Sequence, residues 1–186
     1  KPNVAQRGEG FKLAHNRHEA QAYLDAVPSE AVAQRYVAGP KEAGIFYYRL
    51  PGAKVGQIFA ITEKVFPTLH GDGVQTLEQL IHADPRASII ADTYLARFQH
   101  ERNRVLAAGE SLRLVEAGNH CQGCIFLDGS HLKTFSLEAR FEEISRGLPG
   151  FFIGRYDIRY NSDEELRRGQ GFTIIELNGA ASEATS

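Results

Sequence analysis

The amino-acid sequence predicts an α+β fold, and three observations carry that prediction. Runs rich in aromatic and β-branched residues, such as GIFYYRL and QIFAITEKV, are bounded by Pro-Gly and Gly-Asp-Gly turns and read as strands. Asn16-Arg17-His18-Glu19 and Thr76-Leu77-Glu78-Gln79 each set a capping residue three positions before Glu or Gln, the pattern that starts a helix. The last two strand-like runs are joined by the polar stretch from Asn161 to Gly171, which makes an antiparallel pairing natural.

Residues 1–15 read as two short strands around the turn Gln6-Arg7-Gly8-Glu9-Gly10. The Asn16 cap begins a helix to about Leu24 that stops near Pro28. Residues 31–37, AVAQRYV, read as a core strand before the turn Ala38-Gly39-Pro40. Strands over 43–50 and 55–65 are separated by Pro51-Gly52. After Gly71-Asp72-Gly73, the Thr76 cap begins a helix to about His82. Residues 87–107 are helical by pattern, with Ile90, Tyr94, Leu95 and Phe98 on one face. Strands over 111–116 and 124–127 flank the turn from Asn119 to Gly123. An amphipathic helix over 136–146 turns Leu137, Phe141 and Ile144 inward and ends at Arg146-Gly147, a glycine C-cap. Residues 151–160 and 172–178 are the final strands.

Composition narrows the function classes. The chain has 186 residues, 42% apolar and 24% charged, in the range of ordinary globular domains. A net charge of −2 supplies no field for nucleic acid or an anionic membrane surface. No apolar run approaches the ~18 residues of a spanning helix, and no signal peptide is visible. Two cysteines are too few for a disulfide scaffold, so a reducing, cytoplasmic setting is expected. There is no methionine, and the chain opens on Lys1-Pro2, so the expectation is a piece of a longer polypeptide.

The chemistry concentrates in the last two strands. Side chains at i and i+2 of a strand share a face. Arg155 and Asp157 therefore point one way, as do Glu176 and Asn178. If Asp157 stands opposite Glu176, Arg155 stands opposite Asn178, and two carboxylates, an amide and a guanidinium form one patch. Adjacent carboxylates repel unless a cation neutralises them, and magnesium favours such oxygen donors. Arg155 is suited to gripping phosphate oxygens, and the chemistry implied is phosphoryl transfer. The plainer reading is a charged hairpin in which Arg155 simply pairs with Asp157 or Glu176.

GRYDIRY followed by GFTIIELNG resembles the signature that closes the nucleotide domain of the ATP-grasp superfamily, Arg-x-Asp on one strand and Glu-x-Asn on the next. The resemblance implies an ATP-grasp fold, with a small antiparallel lid over 1–38 and a larger mixed or antiparallel sheet with helices over 39–186. It implies that Asp157, Glu176 and Asn178 ligate magnesium (or manganese) on ATP, and that Arg155 stabilises the transferring phosphoryl group. Lys1 resembles the lysine that reaches the phosphates, and the turn bearing Arg7, Gly8 and Gly10 resembles the loop that closes over them. The segment from Gln34 to Pro40 resembles the hinge that receives adenine, with the backbone of Arg35 and Val37 pairing the base. Glu42 resembles the carboxylate that holds the ribose. The superfamily usually has an acidic residue where Gln34 stands, and one residue fewer before Glu42. Lys64 in ITEKVFP, with Gly71-Asp72-Gly73 and Thr76-Leu77-Glu78-Gln79-Leu80-Ile81, is similar to cyanophycin-synthetase-like and glutathione-forming ligases, where such a lysine lies near the phosphates. D-alanine–D-alanine ligase belongs to the same superfamily.

The function this implies is an ATP-dependent carboxylate–amine ligase working through an acyl phosphate, on small-molecule carboxylate and amine substrates. Neither nucleic acid nor a membrane segment is expected, and homo-oligomers are compatible with the sequence. One alternative is a non-catalytic nucleotide-binding or scaffolding module. Another is a zinc-binding interaction domain using His120, Cys121 and Cys124, with His131 as a fourth ligand. The spacing also admits a redox pair, Cys121 and Cys124. The resemblance instead casts Asn119 and Gly123 as the residues that matter in that loop.

Overall fold

Residues 1–4, 10–27, 30–180 and 182 are described by the computed structural model. Arg7, Gly8 and Pro28 lie outside them. The fold is α+β, with one five-stranded and one two-stranded sheet, both built from antiparallel pairs. Contacts divide the chain into two units, Lys1–Tyr36 with Phe66–Ile125, and Val37–Val65 with Phe126–Ser186. No helix among the described residues is long and apolar enough to cross a membrane.

In the first unit, α1 spans Arg17–Ala26, with the Asn16 side chain accepting from the Glu19 N–H. Glu19 reaches back past the cap to the His15 N–H and the Asn16 amide, so the box closes one residue early. Among the described residues of the expected strands over 1–15, no strand forms. Pro2 makes only an isolated bridge to Ala31, and the Gly10 carbonyl accepts from the Tyr23 hydroxyl. Residues 32–37 are likewise not a strand and not core, being largely exposed. Their β-branched and aromatic content signals extended backbone, but among the described residues no sheet edge takes them up.

Helix α2 (Leu77–Ala83) carries the complete Thr76–Gln79 capping box. The single helix expected over 87–107 is broken into a 3-10 turn (Ala87–Ile90), α3 (Ala91–Arg97) and turns beyond it. Ala91, Tyr94 and Leu95 are its buried side, and only one turn and a half is needed to bury them. A short antiparallel pair, β3 (Thr68–His70) and β4 (Ser111–Arg113), was not expected at its first strand.

The second unit is the five-stranded sheet, in the order β5 (Ile125–Asp128), β2 (Gln57–Val65), β1 (Lys41–Tyr48), β6 (Ile153–Tyr160), β7 (Phe172–Asn178). Helix α4 (Phe135–Arg146), capped by Thr134, packs Leu137 and Phe141 on one sheet face against Ile45, Ile61, Tyr156 and Ile158. Each such fully buried side chain contributes roughly 1.5–3 kcal/mol of transfer free energy. Gly147 ends α4 in the right-handed region, not as a left-handed cap. The stretch 161–171, read as loop, contains α5 (Asp163–Arg167), whose Ser162 cap accepts from the Glu165 N–H.

Candidate functional site: a charged sheet face

Strand alternation makes the other face of this sheet chemically distinct. Lys64, Glu42 and Arg159 form one row across β2, β1 and β6, and Thr62, Gly44 and Asp157 form the next. A third row runs Ala60, Phe46, Arg155 and Asn178. The expected register between β6 and β7 is found: Asp157 is opposite Glu176, and Arg155 is opposite Asn178.

A β-bulge produces that register. From Phe172 to Ile174 the pairing sets Ile174 opposite Ile158; one residue later it slips, and Glu176, not Ile175, meets Asp157. An extra residue in one strand flips everything beyond it to the other face. Ile174 thus packs on the apolar core, while Glu176 and Asn178 join the charged face.

The charges interlock. Arg155 donates to both Asp157 oxygens, at 2.9 Å from Nε and 3.3 Å from Nη2. Lys64 Nζ lies 2.9 Å from Glu42 Oε1 and 3.4 Å from Asp157 Oδ1. Arg159 Nε lies 3.2 Å from Glu42 Oε2, and its Nη1 donates to the Val37 carbonyl. The Asn178 amide is 3.4 Å from Asp157 Oδ2. Glu42, Asp157 and Arg159 are only 3%, 4% and 5% exposed, so these pairs act in a low dielectric where each depends on its partners. Glu176 is exposed.

Gly44 makes room here. A Cβ on it would sit 2.9 Å from Arg155 Cδ and 3.3 Å from Asp157 Oδ1, so the glycine leaves the space that the Arg155 arm crosses. Sequence reading missed Gly44 and Arg159. The pairing of two strands distant in sequence reveals them, and the alternation of β6 alone was the only earlier signal, since Arg159 follows Asp157 by two.

Beside Arg159 lies a cleft of about 440 Å³ lined in part by Val37, Ala38, Gly39, Asn161 and Thr173. The structure therefore gathers Arg155, Lys64, Glu42, Asp157, Glu176 and Asn178 on one face, with Val37 joined through Arg159. Lys1, Gly10, Gln34 and Arg35 belong to the first unit. There the Lys1 amino terminus donates to the Val32 carbonyl, and Gln34 and Arg35 are exposed.

Among the described residues, no group of three or more His, Cys, Asp and Glu is arranged to hold a metal ion. That overturns the zinc reading of His120, Cys121 and Cys124. Cys124 is buried, Cys121 is exposed, and His120 Nδ1 is taken by the Cys124 carbonyl. Asn119 caps the local turn by accepting from the Cys121 N–H, and Gly123 takes φ 92° under the Tyr94 hydroxyl. The Asp157 patch offers a different donor set, two carboxylates and an amide.

No protein-family model and no curated protein matches the chain. Among solved structures, the chain is similar to a bifunctional glutathione synthetase from Pasteurella multocida, at 16% identity and a TM-score of 0.41. The match covers 77% of this chain and 20% of that one, so the chain spans about a fifth of that protein's length.

Proposed function

We propose that the charged sheet face is the phosphate end of a magnesium–ATP site, and that the chain is the nucleotide-binding part of an ATP-dependent carboxylate–amine ligase. The observation that carries this reading is the bulged register of β6 and β7. It aligns Arg155, Asp157, Glu176 and Asn178 in the order that the ATP-grasp resemblance requires. Lys64 and Arg155 add cations to the same face and are suited to phosphate oxygens.

The donor set fits a hard divalent ion: two carboxylates on adjacent strands, directly opposite, with an amide one row away. Asp157, Glu176 and Asn178 would hold magnesium, whose chemistry is to neutralise phosphate charge. Arg155, now paired with Asp157, would turn to the transferring phosphoryl group. Lys64 would hold phosphate oxygens while keeping Glu42 in place. The cleft beside Arg159 is of a size that small ligands occupy, and its Val37 edge would take the adenine, with Arg35 beside it in sequence. Glu42 would hold the ribose. A lid over 1–38, with Lys1, Arg7, Gly8 and Gly10 as its phosphate-binding residues, and a body over 39–186 are the subdomains that this reading implies. The substrates would be a small carboxylate, activated as an acyl phosphate, and an amine.

Calorimetry on this chain tests the reading. ATP is expected to bind with magnesium present and at least tenfold more weakly in EDTA, and Glu176→Gln should abolish the magnesium dependence. Magnesium-independent binding, or a Glu176→Gln chain that behaves as the parent, would sink the proposal.

A further inference from the structure

The charged face does not end at Arg155. One row further on, Tyr48 stands opposite Ile153 on β6 and Gln57 on β2, on the same side of the sheet as Phe46 and Arg155. A second bulge enlarges this end. Phe46 pairs with Ala60 but Tyr47 pairs with Ile58, so β2 carries one extra residue, Phe59. Ile58 and Ile61 are both buried on the core face, which turns Phe59 and Ala60 to the other side in succession. The Phe59 ring meets Phe46 edge-on at 5.9 Å and Tyr48 at 6.3 Å. Phe59 is nevertheless 64% exposed, and Ile153 is 44% exposed.

We propose that Phe46, Tyr48, Phe59 and Ile153 form a subsite for an aromatic or other flat apolar group on a molecule whose phosphoryl or carboxyl group is held at Arg155. The inference rests on the reading of Arg155 as an anion-binding residue and names the class of ligand, a phosphoryl or carboxyl anion bearing an apolar ring. Phe46 is the direct cross-strand neighbour of Arg155, so anion and ring are received by adjacent side chains of one row. Four side chains make a surface far smaller than the roughly 800 Å² per partner of a stable protein interface, and of the size of one ring. An apolar patch beside a few convergent polar groups is the usual composition of a small-molecule site. The exposed Phe59 ring, held edge-on by the half-buried Phe46 and Tyr48, presents a fixed surface at little further entropic cost.

NMR titration of the chain with phenyl phosphate and with methyl phosphate tests this, the two probes sharing the anion and differing in the ring. Phenyl phosphate is expected to bind five- to tenfold more tightly, with shifts at Phe59 and Ile153. Phe59→Ala, at an exposed position, should erase that preference and leave methyl phosphate unchanged. Arg155→Ala should weaken both probes. Equal affinities in the parent chain, a preference that survives Phe59→Ala, or no binding of either probe would overturn the subsite. So would sedimentation of a dimer that Phe59→Ala dissociates, since a second copy would then cover the patch. Magnesium–ATP is titrated in parallel and should not respond to Phe59→Ala. If ATP binds but the ring preference is missing, only the subsite fails; if the preference is present and ATP does not bind, the nucleotide reading fails.

Discussion

Asp157 and Glu176 face each other across β6 and β7, yet Asp157 is 4% exposed and Glu176 is open to solvent. The two carboxylates therefore differ in what they do for the fold. Asp157 balances Arg155 and Lys64, and its loss leaves two cations short of a partner. Asp157→Ala should cost about 3–5 kcal/mol of unfolding free energy. Glu176→Ala should change it by less than about 0.5 kcal/mol. Both should lose magnesium–ATP binding. Urea denaturation beside calorimetry separates the two effects, and equal stability losses would mean that Asp157 is not a member of a buried network.

Lys64 lies between two carboxylates, Glu42 and Asp157. Lys64→Met should destabilise the chain by about 3 kcal/mol, because both acids lose a cation in a poorly solvated place. Adding Glu42→Gln removes one of the stranded charges. The double variant should then be more stable than the sum of the single losses predicts, by at least about 1 kcal/mol. A double-mutant cycle by thermal or urea denaturation reads this directly. Additive losses would show that the pair is not coupled.

Sequence alone carried the strands and the helix caps where the signal is local. Thr76 and Gln79 close their box because both halves lie within one turn, and the alternation of Arg155, Asp157, Glu176 and Asn178 gives one face for each strand. What failed was tertiary. AVAQRYV has strand composition but finds no sheet among the described residues, and 87–107 has helical periodicity but buries only a short central turn. The helix at Asp163–Arg167 was legible after all in Ser162-Asp163-Glu164-Glu165, a cap followed by Glu at the third position. Gly44 was not legible, and Arg159 was so only as the next residue on the face of Asp157, because their roles come from the pairing of β1 with β6.

Gly44 offers the least disruptive way to move Arg155. Its substitution by Ala forces the Arg155 arm aside, since Cδ would lie 2.9 Å from the new Cβ. A flexible arm can yield, so the stability loss should be modest, about 1 kcal/mol. ATP affinity should fall more than that loss suggests, because the guanidinium is aimed elsewhere. In an Arg155→Ala background, Gly44→Ala should then cost ATP affinity nothing further. A calorimetric cycle over the four chains checks it, and a full additional loss would place the defect in the strand and not in Arg155.

Glu142 ties the turn after β1 to α4 by accepting from the Tyr47 hydroxyl, from the Gly56 N–H at 2.7 Å and from Arg146. Burial pushes its carboxyl up, but these donors outweigh that and hold it below the usual glutamate range. A depressed folded-state value stabilises above the unfolded pKa of roughly 4.3, and that contribution disappears as pH falls through the folded value. The urea midpoint should therefore drop between about pH 5 and pH 3. Glu142→Gln should be less stable at pH 7 and should lose less on acidification. Parallel curves for the two chains would exclude Glu142 as a source of the acid response.

The bulge at Ile175 makes the sharpest claim about how the site is built. With Ile175 present, Thr173, Glu176 and Asn178 all occupy the charged face although an odd spacing separates the first two. Deleting Ile175 should restore regular alternation from Phe172 onward. If the pairing of β6 with Phe172, Thr173 and Ile174 is retained, the residue after Ile174 becomes Glu176 and falls opposite Asp157, while the ladder loses its extra twist. The carboxylate pair would then survive in register but with a flatter edge strand. The expected result is that the chain lacking Ile175 retains magnesium–ATP binding, and that an added Ala after Ile175 loses it, because the insertion moves Glu176 and Asn178 one position along and turns them toward the apolar face. Calorimetry with far-ultraviolet circular dichroism as a check on the sheet decides the matter. Binding that survives the insertion with the sheet intact would show that the register of β7 does not build the site.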